Sequence, residues 1–204
     1  LIGENTQRYP NCAAAISFGK DSIVLLDLVM KVDPSVPVFA VLADTEFQET
    51  LEFRDQVLAY YTLDYSEYNF VNDPSKGLGD CCRSMKVEAF KDAVKDLDCW
   101  FSGIRRDEGI TRVDFQPVEE REGLVKVNPI LDFTEKDVWR YTALYGLPVN
   151  SIYRMGYRSL SCRLCSAKED DESESEREGR WKGTEHWGGE CGIHTQPLKV
   201  GHSA

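Results

Sequence analysis

Cys12-Ala13-Ala14-Ala15-Ile16-Ser17-Phe18-Gly19-Lys20-Asp21-Ser22 is a short apolar run followed by a polar turn, and the residues from Ser22 to Lys31 continue as a helical pattern. An unbroken apolar run of this length suits a strand buried on both faces, and a strand–turn–helix unit belongs to an α/β fold. The turn from Ser17 to Ser22 can offer backbone N–H groups and a lysine to an anion. It is much shorter than the eight-residue loop of nucleoside-triphosphate sites, so that assignment fails, and an ordinary strand-to-helix turn is the plain alternative.

The same alternation continues outward. Pro37–Leu42 reads as a second buried strand. Leu51, Phe53, Val57 and Leu58 form the stripe of a following helix, with Asp44 or Thr45 expected to cap it or to meet a ribose hydroxyl. Leu63–Val71 is a third strand candidate. A loop at 72–80 then leads into a helix expected to run to about Leu97, with Val87, Phe90 and Val94 on its apolar side. Asp98–Ser102 reads as a further strand. Val113–Val118 and Leu124–Val127 read as edge strands around a charged turn at 119–122. Thr134 and Asp137 make a capping pair for a helix that Gly146 ends.

The chain has 204 residues and a formal net charge of −11, which argues against general binding to nucleic-acid phosphates. No apolar run approaches the roughly 20 residues that cross a bilayer, so no membrane association is expected. The first residues resemble no signal peptide, and the start at Leu1 leads us to expect upstream residues beyond this sequence. Seven cysteines without a regular framework favour cytoplasmic metal or redox chemistry over a secreted disulfide scaffold.

Those cysteines carry the sharpest signal. Cys81 and Cys82 are adjacent, which makes a poor disulfide, and Cys162-Arg163-Leu164-Cys165 brings two thiols to one turn. Four sulfurs suit a tetrahedral zinc or an iron–sulfur cluster. Lys86 lies about one helical turn beyond Cys82 and can steer an anion. Arg105 and Arg106 follow a strand and offer paired donors, with a surface ion-pair patch as the plain alternative. Arg158 precedes Cys162 by four residues. The block from Glu169 to Glu178, with seven acids, reads as a mobile, solvated loop. Cys191, framed by Gly189 and Gly192, reads as a mobile nucleophile with His194 nearby, whereas Cys12 and Cys99 read as buried strand thiols.

Taken together, Ser17–Ser22, Cys81-Cys82 with Lys86, Gly103-Ile104-Arg105-Arg106, Gly156-Tyr157-Arg158-Ser159, Cys162 with Cys165, Arg177-Glu178-Gly179-Arg180-Trp181 and Glu190-Cys191-Gly192-Ile193-His194 resemble the cluster-containing adenylyl-sulfate reductases of the sulfonucleotide reductase family. The resemblance spans nearly all of residues 11–200. It implies an α/β fold with a predominantly parallel central sheet, helices on both faces, of the adenine nucleotide alpha-hydrolase type. It implies one domain over 1–204, with 186–204 a mobile catalytic segment. It further implies a [4Fe-4S] cluster on Cys81, Cys82, Cys162 and Cys165, with Cys191 as the nucleophile toward adenosine 5'-phosphosulfate, assisted by Lys86 and His194. AMP leaves, and thioredoxin or a similar thiol donor releases sulfite.

Substrate contacts implied by the resemblance are Ser17, Phe18, Gly19, Lys20, Asp21, Ser22, Arg105, Arg106, Arg158, Arg177 and Arg180, with the main chain near Leu42 and Asp44 at the adenosine. The Ser17–Ser22 loop is compact beside the family's fuller Ser-Gly-Gly form, and the sequence pattern shows no helix before the first strand, where the family has one. Homo-oligomers are compatible with all of this. The alternatives are reduction of the 3'-phosphorylated substrate, ATP-dependent activation of sulfate or sulfur by a pyrophosphate-loop enzyme, and a non-catalytic zinc module.

Overall fold

The computed structural model describes residues 1–73, 75–77, 79–169 and 175–199. Its sheet is built from β1 (Cys12–Ile16), β2 (Val38–Ala43), β3 (Tyr65–Phe70), β4 (Cys99–Phe101), β5 (Val118–Arg121) and β6 (Leu124–Val127). The strand order is β3-β2-β1-β4-β6-β5. All neighbours run parallel except β5, which pairs antiparallel with β6. The helices are α1 (Ile2–Arg8), α2 (Lys20–Val32), α3 (Gln48–Tyr60), α4 (Asp80–Val94), α5 (Glu135–Tyr145) and α6 (Gly192–Thr195).

The two-residue period of β1 divides the core. Cys12, Ala14 and Ile16 face a layer containing Val24, Leu26 and Val29 of α2, Phe53 and Val57 of α3, and Val138 of α5. Ala13 faces the opposite layer with Phe39, Val41, Trp100 and the α4 residues Phe90 and Val94. Cys81, Cys82, Cys162, Cys165 and Cys191 all lie in this second layer, whereas Cys12 and Cys99 lie in the first. The sheet therefore separates these five thiols from Cys12 and Cys99.

Between β1 and β4 the strand order reverses, because β2 and β3 lie on one side of β1 and the later strands on the other. Open α/β sheets bind ligands at the carboxyl ends of the strands beside such a point.

Thr134 and Asp137 form the expected capping box, and Gly146 closes α5 in the left-handed conformation. Four local expectations change. A helix, α1, does precede β1, and it packs on α2. Neither Asp44 nor Thr45 caps α3, which begins at Gln48 with Phe47 as its N-cap and no side-chain cap. The Asp44 carboxylate instead accepts from the backbone and side-chain amides of Asn72, both at 3.0 Å. Val113–Val118 is not a strand: a 3-10 turn covers Ile110–Arg112, β5 occupies Val118–Arg121, and Glu122 and Gly123, both at positive φ, make the hairpin turn.

Candidate active site

At the switch point a cleft opens on the α4 side of the sheet, enclosing about 900 Å³ with its mouth included. Ser17, Gly19, Asp21 and Ser22 after β1 form one wall, and Ser102 and Gly103 after β4 continue it. Phe39, Val41, Phe90 and Trp100 make an apolar floor. The walls meet closely because position 103 is glycine: a Cβ there would stand 3.2 Å from the Asp21 carbonyl oxygen and the Ser22 Cα. The first turn of α2 faces this wall with amides that an α-helix cannot satisfy internally.

Basic side chains converge from the other direction. Lys86, Arg177 and Arg180 line the cleft. Burial works against the Lys86 charge, but Cys191, Cys82 and Glu46 outweigh it and hold the ammonium above its ordinary range. Burial and the neighbouring Arg112 push Arg177 down to about 10, which still leaves it charged at neutral pH. The buried Nε atoms of Arg177 and Arg180 have no hydrogen-bond partner. A buried guanidinium N–H without an acceptor is costly, and both of these arginines line the cleft.

Cys191 reaches the same cleft from the C-terminal segment, as the N-cap of α6. Gly192 allows this segment to press on α4, since a Cβ there would meet Val87 Cγ2 at 2.7 Å. His194 stacks on Trp100 with ring centroids 5.9 Å apart, and its Nδ1 is buried without a partner. Burial, reinforced by Lys126, holds its pKa well below the usual range, so the imidazole is neutral at pH 7.

Beside the cleft lie the four paired cysteines, all buried, free of disulfides and gathered from the first turn of α4 and the turn Arg163–Cys165. Cys82 hydrogen-bonds with Cys162 and Cys165, which raises the Cys82 pKa. Hydrogen bonds from Cys165 and Cys82 lower that of Cys162. The Cys81 thiol donates to Asn72 Oδ1 at 2.9 Å. Among the described residues, the cysteine sulfurs do not form a set lying mutually within 4.8 Å; that spacing is met by Asp80, Glu185 and His186. Four soft donors gathered in one place suit a tetrahedral zinc or an iron–sulfur cluster.

Comparison with known proteins agrees with this arrangement. The phosphoadenosine phosphosulfate reductase domain matches residues 11–168. The chain belongs to that family. Reductase relatives include adenosine 5'-phosphosulfate reductase 2 of Bacillus subtilis, 32% identical over 197 residues and covering 89% of this chain and 82% of the relative. The adenosine 5'-phosphosulfate reductase of Oceanobacillus iheyensis is 33% identical over 196 residues, covering 89% of this chain and 80% of the relative. Among solved structures, phosphoadenylyl-sulfate reductase from Candida auris superposes with a TM-score of 0.64 at 22% identity, over 79% of this chain and 88% of that one. FMN adenylyltransferase from Candida glabrata superposes with a TM-score of 0.66 at 18% identity, over 98% of this chain and 75% of that one. These likenesses establish the adenine nucleotide alpha-hydrolase-like fold.

Within this reductase fold, several expected contact residues lie off the cleft. Phe18, at φ 57°, is fully buried and packs edge-on to Tyr65. Leu42 points into the other core layer, and Asp44 is engaged by Asn72. Lys20 and Arg105 are tied together beneath the loop: Lys20 Nζ lies 2.7 Å from Glu176, while Arg105 donates to Glu176 at 2.7 and 2.8 Å and to Asp21 at 2.6 Å. Arg106 turns outward to Asp132 and the Phe115 carbonyl. Arg158 pairs with Glu135 at 2.9 Å, and its carbonyl accepts from Lys20 Nζ.

The acidic block also needs correcting. Its described end is not solvated, because Glu176 and Arg177 are buried; residues 170–174 lie outside the described residues, as do 200–204 of the C-terminal segment. Sequence reasoning missed Glu108, Arg112, Tyr153 and the aromatic floor, all of which line the cleft. Arg112 had the one usable signal, a third arginine shortly after Arg105-Arg106.

Proposed function

We propose that this chain reduces adenosine 5'-phosphosulfate to sulfite and AMP, with Cys191 as the nucleophile. The observation that carries this reading is the meeting, in one cleft, of a terminal-segment thiol with Lys86 and two buried guanidinium groups whose Nε atoms lack acceptors.

The chemistry follows from the charges. A thiolate approaching a sulfuryl group attached to a phosphate meets like charge, which Lys86, Arg177 and Arg180 offset. The Cys191 sulfur forms a bond to the sulfate sulfur, the bridging S–O bond breaks, and its electron pair leaves on the AMP phosphate. That phosphate lies toward the Ser17–Ser22 wall and the first turn of α2. The product is an S-sulfocysteine at Cys191. An external thiol, from thioredoxin or a similar donor, then attacks the Cys191 sulfur and expels sulfite, and a second thiol of the donor resolves the mixed disulfide. Neutral His194 can donate or accept a hydrogen bond but brings no charge. Opening of the segment at 186–204 would admit the donor, and seven free cysteines suit a reducing compartment such as the cytoplasm.

Cys81, Cys82, Cys162 and Cys165 would hold a [4Fe-4S] cluster, which when bound would supply a rigid inorganic group beside the cleft whose four thiolates make it net negative, a charge that Lys86 would offset. Lys86, one turn along α4 from Cys82, lines the cleft and interacts electrostatically with both Cys82 and Cys191.

The test is Cys191→Ser. Sulfite formation should vanish, while iron and acid-labile sulfide in anaerobically purified protein stay as in the parent. Retained sulfite formation would remove Cys191 from the mechanism, and purified protein containing zinc alone would remove the cluster. Comparing turnover with and without a 3'-phosphate on the substrate separates the two sulfonucleotides.

A further inference from the structure

Arg112 stands on the 3-10 turn after Gly109, 78 residues before Glu190 in the chain. Its guanidinium grips the Glu190 carboxylate with both edges of one fork: Nε donates to Oε2 at 2.6 Å and Nη2 to Oε1 at 3.0 Å. That same Oε1 accepts the backbone amide of Cys191 at 2.9 Å. One residue earlier, Arg177 Nη2 donates to the Gly189 carbonyl at 2.6 Å. The peptide that carries the thiol is therefore held at three successive residues.

The clasp is anchored at its far side as well. Arg112 Nη1 pairs with Glu108, whose Oε2 also accepts the amide of Arg105 at 3.2 Å. Side chains of Arg112 and Glu190 are 6% and 5% exposed, and the two arginines balance the two glutamates in charge. Burial opposes ionisation of Glu190, but Arg112 and Arg177 overcome it and keep the carboxylate charged. The other holds on this segment are single contacts: His186 to Asp80, the Gly188 amide to the Arg180 carbonyl, Trp187 to the Glu178 carbonyl, Arg121 to the His194 carbonyl, Gln196 to the Arg83 carbonyl and Lys199 to the Leu97 carbonyl. A bidentate arginine–carboxylate pair fixes direction as well as distance. The clasp is thus the strongest directional restraint on where the thiol points.

We propose that Arg112 is a positioning residue for the reaction, acting through Glu190 to hold the Cys191 peptide over the cleft. The proposal rests on the reading of Cys191 as the nucleophile. Breaking the fork leaves Glu190 with only the longer contact to Arg177, or Arg112 with only Glu108, so the closed arrangement loses the directional restraint that favours it over an open one.

The experiment uses the full chain with Arg112→Met, Arg112→Lys, Glu190→Gln and the double variant Arg112→Met/Glu190→Gln. Cys191 alkylation by iodoacetamide, without substrate, is read on the tryptic peptide 183–199, and amide exchange is followed over the same residues. Each of Arg112→Met and Glu190→Gln should raise the alkylation rate and lower kcat by about tenfold or more, since the bidentate restraint on the Cys191 peptide is lost and the buried charges are left with poorer partners. KM and AMP affinity should stay within about threefold, the pattern of lost positioning and not of lost binding. The double variant should match a single one, not their product. Arg112→Lys should fall between, because lysine keeps the charge without the fork.

Unchanged alkylation and exchange in both single variants would overturn the proposal, as would multiplying effects in the double variant. Collapse of AMP affinity in Arg112→Met would overturn it too, making Arg112 a direct contact. Should Arg112→Met not fold, Glu190→Gln, which removes charge at nearly constant volume, decides by the same readouts. Sulfite formation by Cys191→Ser would defeat the nucleophile reading alone, since alkylation and exchange still report on the clasp.

Discussion

Glu176→Gln should destabilise the protein markedly, although the sequence places this residue inside a run of surface-like acids. Its carboxylate accepts from Arg105 at 2.7 and 2.8 Å and lies 2.7 Å from Lys20 Nζ, with the side chain only 3% exposed. Burial raises its pKa, and Lys20 and Arg105 only partly pull it back, so the ion cluster as a whole is no great source of stability. The cost of the variant comes from elsewhere. Two buried cations lose a shared counter-charge, and Asp21, at 2.6 Å from Arg105 and 3.4 Å from Lys20, remains for both, with Asp107 a further 3.6 Å contact for Arg105. Breaking a buried pair costs about 3–5 kcal/mol, and the remaining Asp21 argues for the lower end. A chain of 204 residues unfolds with an entropy of about 0.4 kcal/mol/K, so about 3 kcal/mol lowers Tm by about 7 °C. Glu178→Gln, two residues on and exposed, is the control and should change stability by less than about 0.5 kcal/mol. Thermal and urea unfolding of both variants measure the difference. Equal, small shifts would refute the buried tie and restore the picture of a solvated acidic loop.

Two further outcomes follow from the same electrostatics. Burial lowers Lys126 to about 8, against 10.5 in an unfolded chain, with Glu119 offsetting part of the loss. Between those values the unfolded state binds more protons, so stability from this group rises with pH, by about 3 kcal/mol across the window. It is lost again as pH falls through 8, and Lys126→Met should remove this component from urea unfolding measured at pH 7.5 and pH 10. Arg180→Met should weaken inorganic phosphate and AMP binding about 10–100-fold, the worth of one charge-assisted hydrogen bond, read by calorimetry; unchanged affinity would take Arg180 out of the anion site.

How far the sequence could be read depended on whether a signal was local. The βα alternation, the Thr134 and Asp137 box and the Gly146 stop are all written within a few neighbouring residues, and each element formed where its pattern placed it. The Cys81-Cys82 and Cys162/Cys165 pairs were legible for a different reason, because their spacing has few uses outside a shared ligand. What stayed hidden is pairing over long separations. Nothing near Arg105 announces Glu176, 71 residues on, and nothing near Arg112 announces Glu190. An arginine that will bind substrate and one that will neutralise a buried acid look alike in sequence, which is why Arg105 and Arg106 were expected at the anion site and lie off it. The α1 helix was missed because its seven residues, Ile2–Arg8, carry no cap and little apolar face, and its packing on α2 supplies the stability its own sequence lacks.

The arginines also explain why the acidic block is where it is. A cleft for a sulfate and a phosphate needs several cations close together, and unpaired they would repel one another before any ligand arrived. Here the repulsion is distributed: Glu176 neutralises the pair beneath the loop after β1, and Glu108 and Glu190 neutralise Arg112 and one edge of Arg177. The Nε atoms of Arg177 and Arg180 stay without acceptors. In a chain of net charge −11 the cleft is lined by both signs, with Asp21, Glu108 and Glu190 beside Lys86, Arg112, Arg177 and Arg180, and the acids are engaged by arginines. Cys191 enters the cleft on the same peptide that supplies Glu190. The residue that completes the charge balance and the residue proposed as the nucleophile are therefore delivered together, and one cannot move without disturbing the other.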